Sequence, residues 1–346
     1  MFTLLLHASW SLHKPIIVVD NGSRRPAATL ALRETAAALS KKLNREVLPA
    51  SLGFSDSAGG KLLSTTLAEL AARPDVSGAV IAPLFLGPSD SLRKGVKSCA
   101  ADLPPDFELR LGACLVDEDG AADDRRVARA LASQVLRVAR TENLSRRRGG
   151  GEPLKVLVVD HGTPSARVNA VRARLAEDVG ELLSKHAPTS FASSAVGAAS
   201  MERRDDPRYD FNEPLLERAL AAPPYNSGDV ILAMAFALPG RHAGEGGDVA
   251  QIVERARQDE GSAALRVHTT PLLGGHSLVL DVIAQRAADA KRITTGVGDA
   301  PSPTGSSDEQ PVASPKPPGF LLWLVLVWAV LPAALQFAGI EIPEHL

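Results

Sequence analysis

Apolar residues in this chain gather in short unbroken runs separated by longer amphipathic stretches, and the alternation occurs twice. Ile16–Val19 runs into Asp20-Asn21-Gly22-Ser23, and Val156–Val159 runs into Asp160-His161-Gly162-Thr163, with Asp20 and Asp160 lying 140 positions apart. Runs this short, ended by turn residues, predict buried strands. Behind the first, Leu30, Leu32, Ala36, Leu39 and Leu43 recur near helical spacing; behind the second, Val168, Val171, Leu175, Val179, Leu182 and Leu183 do the same. Each copy then offers a second apolar run, residues 79–87 or 229–237, and a third, residues 109–115 or 265–273. Strands alternating with helices imply parallel sheets covered on both faces. The expected fold class is therefore α/β, with two similar domains, each a parallel sheet flanked by helices.

The copies set the expected boundaries: a first domain over 1–140, a linker over 141–153 carrying three arginines and three glycines, and a second domain over 154–297. Residues 298–318, rich in Gly, Pro and Ser, read as a disordered linker. Residues 319–340 carry no charge and include Trp323 and Trp328. At about 1.5 Å per residue this run spans a hydrocarbon core of about 30 Å, which predicts a single-pass C-terminal transmembrane helix and a membrane location. The opening residues lack the basic leader and small-residue cleavage site of a secretory signal.

Composition narrows the partners. Of 346 residues, 45% are hydrophobic and 23% charged, as in globular proteins, and the net charge of −2 gives no pull toward nucleic acid. Two cysteines, Cys99 and Cys114, are too few for a disulfide framework, and their spacing fits neither a zinc site nor an iron–sulfur cluster.

Ligands of open parallel sheets bind beyond the carboxyl ends of the strands. His161 directly follows one such strand, and His242 follows another in the same repeat through Pro239-Gly240-Arg241. Imidazole ligates Fe, Co, Ni and Zn, and its neutral form is a base near pH 7. Glu202 offers a third ligand or proton acceptor, or else a solvated loop carboxylate.

Asp160-His161-Gly162-Thr163, Met201-Glu202, Phe236 through His242 with Asp248, and Pro271-Leu272-Leu273-Gly274-Gly275-His276 through Asp281 occur in that order. Together they resemble the sirohydrochlorin chelatases, class II enzymes that insert Fe²⁺ or Co²⁺ into sirohydrochlorin without ATP. The run Leu238-Pro239-Gly240-Arg241-His242 is most similar to plant-type sirohydrochlorin ferrochelatases. The resemblance implies metal handling at His161 and His242, with Glu202 beside them. It also implies substrate contacts from Arg241, Arg167 and His276, from backbone amides of residues 244–248, and from Ser23, Arg24 or Arg25 of the first half. No cofactor is implied beyond the inserted metal ion, and the partners are a sirohydrochlorin-type tetrapyrrole and a divalent metal.

The first half departs from the family pattern. Asn21 stands where the second half has His161, and Pro83 through Ser91 contain no histidine, with Asp90 expected to cap a helix. Neutral Asn is no base at pH 7. The first half thus reads as a degenerate partner that completes the cleft. Thr163-Pro164 replaces the family's usual Ser-Arg, which shifts one substrate contact. The leading expectation is Fe²⁺ insertion to give sirohaem; the alternatives are Co²⁺ insertion and a non-catalytic, membrane-tethered carrier of tetrapyrrole or metal. For a photosynthetic source the plant-like motifs imply a plastid.

Overall fold

The computed structural model describes residues 14–54, 58–116, 124–144, 154–192, 195–259 and 264–293. The expected transmembrane run 319–340 and the linker 298–318 lie outside the described residues. Among the described residues no helix is long and apolar enough to cross a membrane.

The first half runs β1 (Ile16–Asp20), α1 (Pro26–Leu43), β2 (Val47–Ser51), α2 (Leu63–Ala71), β3 (Gly78–Pro83), α3 (Asp90–Ala101), β4 (Glu108–Leu111) and α4 (Arg126–Thr141). The second runs β5 (Lys155–Asp160), α5 (Ala166–His186), β6 (Val196–Ser200), a 3-10 turn (Pro207–Asn212), α6 (Leu216–Ala221), β7 (Gly228–Met234), α7 (Asp248–Gln258), β8 (Leu265–Thr269), α8 (Ser277–Ala288) and β9 (Lys291–Arg292). The strands form two sheets, ordered β2-β1-β3-β4-β9 and β6-β5-β7-β8, parallel throughout except for β9 against β4. β2 and β6 were not expected from the sequence. Val47-Leu48-Pro49-Ala50-Ser51 contains a proline and Val196-Gly197-Ala198-Ala199-Ser200 is mostly small residues, compositions that suit the sheet edges both strands occupy.

Alternation along each central strand sorts its side chains into two cores. Ile16, Val18, Val156 and Val158 face a single apolar mass that includes α1, α4, α5 and α8, whereas Ile17 and Val19, or Leu157 and Val159, face separate outer cores. Leu63, Leu67 and Leu92 fill the outer core of the first sheet, and Leu216, Val249 and Ile252 that of the second. The order of layers is helices, sheet, shared helices, sheet, helices.

The two similar domains expected over 1–140 and 154–297 exchange helices. α4 packs on β7 and α5 of the second half, while α8 packs on β3 and α1 of the first; the two also pack on each other. β9 completes the exchange by pairing with β4. The described residues of both halves consequently fall in one compact unit. The cause is visible in α4, where Val127, Ala128, Ala130, Leu131, Ala132 and Val135 are all buried. That apolar face is too wide for one sheet, so the helix lies between layers.

Two stability predictions follow from this packing. Leu131 is fully buried in the shared core, so Leu131→Ala is expected to lower unfolding stability by about 2–5 kcal/mol. Urea denaturation should still show one transition; two transitions, with only one displaced, would contradict the shared core. Separately, Arg266 and His268 of β8 hydrogen-bond to Asp229 of β7 and hold its carboxyl at about 2. The folded value lies below the ordinary ~3.9 of the unfolded chain, so the stabilisation is complete above about pH 5 and fades as pH falls toward 2. Asp229→Asn should therefore be destabilising near neutrality, with its deficit against wild type closing in acid, as measured by melting at a series of pH values.

Candidate functional site

β5 ends at Asp160, and the next residue, His161, stands at the carboxyl edge of the sheet. Gly162 then adopts φ +90°, and a Cβ there would collide with the Glu202 carbonyl oxygen. That close approach lets the exit from β6 run against the His161 loop: Met201 N–H donates to Asp160 O at 2.8 Å and Glu202 N–H to His161 O at 3.1 Å. Asp160 itself is turned inward. Its Oδ1 accepts from Ser200 Oγ at 2.9 Å and from Gly162 N–H at 3.2 Å, with Arg172 Nη1 at 3.8 Å. Burial pushes the Asp160 carboxyl upward, opposed by Arg172 and by these hydrogen bonds. Arg172 also donates to Ser200 Oγ and to Asn212 O, and Asn212 clamps Thr163 through its N–H and its C=O at 2.9 Å each. Beneath an exposed histidine thus lies a buried polar frame that fixes its backbone.

His242 is held by a loop folded on itself. Gly244 N–H donates to Gly240 O, Asp248 N–H to Arg241 O, and Val249 N–H to His242 O. The expectation that amides of residues 244–248 bind substrate is corrected for those of Gly244, Gly247 and Asp248, which close the loop instead. His242 Nδ1 lies 2.7 Å from Asp248 Oδ2, and His161 Nδ1 lies 3.0 Å from the Gly162 carbonyl oxygen. A carbonyl or a carboxylate can only accept, so in its neutral form each ring can place its proton on Nδ1 and turn Nε2 outward as an acceptor. The two Nε2 atoms lie 3.1 Å apart, with ring centroids 4.3 Å apart at 78°. Glu202 Oε1 is 3.3 Å from His161 Nε2. Two imidazole nitrogens and a carboxylate this close together suit a shared cation, a proton or a metal ion. Metal–imidazole bonds of about 2.0–2.1 Å at angles of about 90–110° separate two nitrogens by about 2.9–3.4 Å, which matches.

Among the described residues no three His, Cys, Asp or Glu side chains make a metal cage. The pair is an open site, with Glu202 on its flank. An open coordination sphere suits an ion that must be passed on, since catalytic metal sites keep positions free where structural ones close them.

The first half repeats the frame without the chemistry. Ser51 Oγ donates to Asp20 Oδ1 at 2.5 Å as Ser200 does to Asp160, and Gly22 adopts φ +88° as Gly162 adopts +90°. Leu52 N–H donates to Asp20 O and Gly53 N–H to Asn21 O. Asn21 thereby occupies the place of His161, and Gly53 that of Glu202. Sequence reasoning found the first replacement and missed the second, because β2 and β6 carry no apolar run to align.

Both sheet edges open on one cavity of about 1400 Å³, above the roughly 300–1,000 Å³ of pockets for drug-sized ligands. His161 and His242 line it, with Arg167 and Arg241 from the second half and Ser23, Arg24, Arg25 and Arg93 from the first. Five arginines favour a ligand with several carboxylates. Arg241 Nε is 3.5 Å from Asp248 Oδ2, and Arg25 Nη1 donates to Glu245 O at 3.1 Å, joining the halves. Arg93 was missed in the sequence, where nothing distinguishes it from a solvated helix residue; it pairs with Asp90, the first residue of α3, which Ser89 caps. Arg93, with smaller pulls from Lys94 and Arg167, holds Asp90 below the usual carboxylate range.

His276 is corrected. It is not part of the cavity lining but caps α8, accepting from Leu278 N–H at Nδ1. Its proton therefore sits on Nε2, which donates to Ser133 Oγ at 2.9 Å, and Ser133 donates onward to Ala130 O. Burial, with Arg137 nearby, lowers its pKa.

No protein-family model matches the chain, and no curated protein matches it. Among solved structures it is similar to a multi-domain protein of Deinococcus radiodurans described as having structural similarity to chelatases. That match has 16% identity and a TM-score of 0.51 over 82% of this chain, which spans 57% of that protein's length. The chain is also similar to CbiX, described as the terminal enzyme for biosynthesis of siroheme in denitrifying bacteria. There the identity is again 16% and the TM-score 0.51, over 80% of this chain and 99% of that one. At such identities the likeness is one of fold.

If Asp248 fixes the tautomer of His242, Asp248→Ala should weaken Co²⁺ binding by about 10–100-fold, the usual effect of removing a carboxylate behind a ligating histidine. Titration of Co²⁺ absorbance checks this, and an unchanged affinity would remove Asp248 from the site.

Proposed function

We propose that the chain is a chelatase that inserts Fe²⁺ into sirohydrochlorin to form sirohaem. The observation that carries this proposal is the pair of imidazole Nε2 atoms, 3.1 Å apart, at the wall of a large arginine-lined cavity. The fold shared with CbiX, the enzyme of siroheme biosynthesis, supports it. Insertion exchanges two pyrrole N–H protons for one M²⁺. The ion waits on His161 and His242, with Glu202 beside them. As it passes to the four pyrrole nitrogens, each freed imidazole accepts one proton, so charge and atoms balance with two imidazolium ions left behind. The arginines pair with the rim carboxylates and hold the macrocycle over the metal. Co²⁺ accepts the same ligands, and both ions belong in the assay. The run 319–340 would tether this site to a membrane.

The test is anaerobic incubation of the full chain with sirohydrochlorin and either Fe²⁺ or Co²⁺, followed by the absorbance of the metallated product. Insertion well above the uncatalysed rate is expected, faster with Fe²⁺, and His161→Ala and His242→Ala should each lower it by at least about a hundredfold. Tight pigment uptake with no acceleration would instead make the chain a carrier.

A further inference from the structure

The half without histidines carries an aromatic side chain in the cavity that the metal chemistry does not use. Gly53 holds the backbone place of Glu202, so Phe54 holds that of Arg203. In the second half Arg203 turns away to Glu213 at 2.9 Å and Asp210 at 3.3 Å. Phe54 has no such anchor. The residue is 47% exposed, one of two large hydrophobic residues so exposed among the described residues, and it lines the cavity. Arg24, also lining the cavity, places its guanidinium 5.7 Å from the centre of that ring.

A lone exposed phenylalanine on a convex surface means little. Phe54 instead stands in a concave wall, with Arg24 against its ring. The segment that carries Arg24 is held to the second half, since Arg25 donates to Glu245 O and Ser23 lies against Gly240. An apolar ring with a guanidinium over one face complements a flat conjugated ligand with carboxylates on its edge: the ring's other face takes the π-face and the cation takes the rim.

We infer that Phe54 and Arg24 form the platform on which the tetrapyrrole ring stacks, so that the degenerate half binds pigment while the second half binds metal. This rests on the proposed chelatase activity and adds a division of labour to it: pigment should bind without metal, and metal without pigment.

The experiment titrates metal-free sirohydrochlorin, anaerobically, into the full chain and into Phe54→Ala and Phe54→Trp, reading pigment absorbance, with Co²⁺ titrated separately. Loss of one stacking aromatic is expected to weaken pigment binding by roughly tenfold, with Phe54→Trp close to wild type and Co²⁺ affinity the same in all three. Equal pigment affinity in Phe54→Ala and wild type would overturn the platform while leaving the chelatase proposal intact. So would a parallel loss of Co²⁺ binding, which would mark Phe54 as structural. A wild-type chain that binds Co²⁺ but takes up no sirohydrochlorin would overturn the proposed substrate itself.

Discussion

His161 and His242 each commit the Nδ1 proton to a group that can only accept it, the Gly162 carbonyl in one case and the Asp248 carboxylate in the other. That leaves the two Nε2 atoms 3.1 Å apart. In the proposed chemistry a positive charge between them turns a repulsive contact into an attractive one. The remaining architecture can be understood as what it takes to hold that contact. The buried Asp160, Ser200, Arg172 and Asn212 fix one histidine's loop from below. A self-bonded turn around Gly240–Asp248 fixes the other.

Rigid support alone would leave the histidine pair on an open surface. The cavity exists because two sheets share one layer of helices, which turns both carboxyl edges toward the same space. α4 and α8 cross between halves, and their burial on the opposite sheet makes the arrangement cooperative. The first half therefore contributes walls and cations to a pocket whose facing histidines both belong to the second.

Much of this was legible in the residues. The repeated run ending in Asp-x-Gly located β1 and β5 and the turns after them, because a buried parallel strand followed by a tight turn leaves an unmistakable pattern of apolar residues and glycine. The two histidines were legible for the same reason, as strand-end residues of one repeat. Other features left no such trace. β2 and β6 are edge strands whose small residues and proline hide them, and with them the equivalence of Gly53 and Glu202. The exchange of α4 and α8 was invisible, since a hydrophobic face records that it is covered and not by what. His276 misled for a related reason: a motif conveys order along the chain, whereas its ring nitrogens are engaged in capping α8 and bonding Ser133.

The crossed helices also bear on how such a chain can change over time. A half without histidines at its strand tips would ordinarily be free to disappear, yet here its sheet is roofed by α8 and its own α4 roofs the neighbour's. Deleting it would strip both lobes. Its scaffold is thus under constraint while residues on its rim can drift without unseating either sheet. A duplicated and fused pair of this kind offers a lineage a protected surface on which new contacts can be tried.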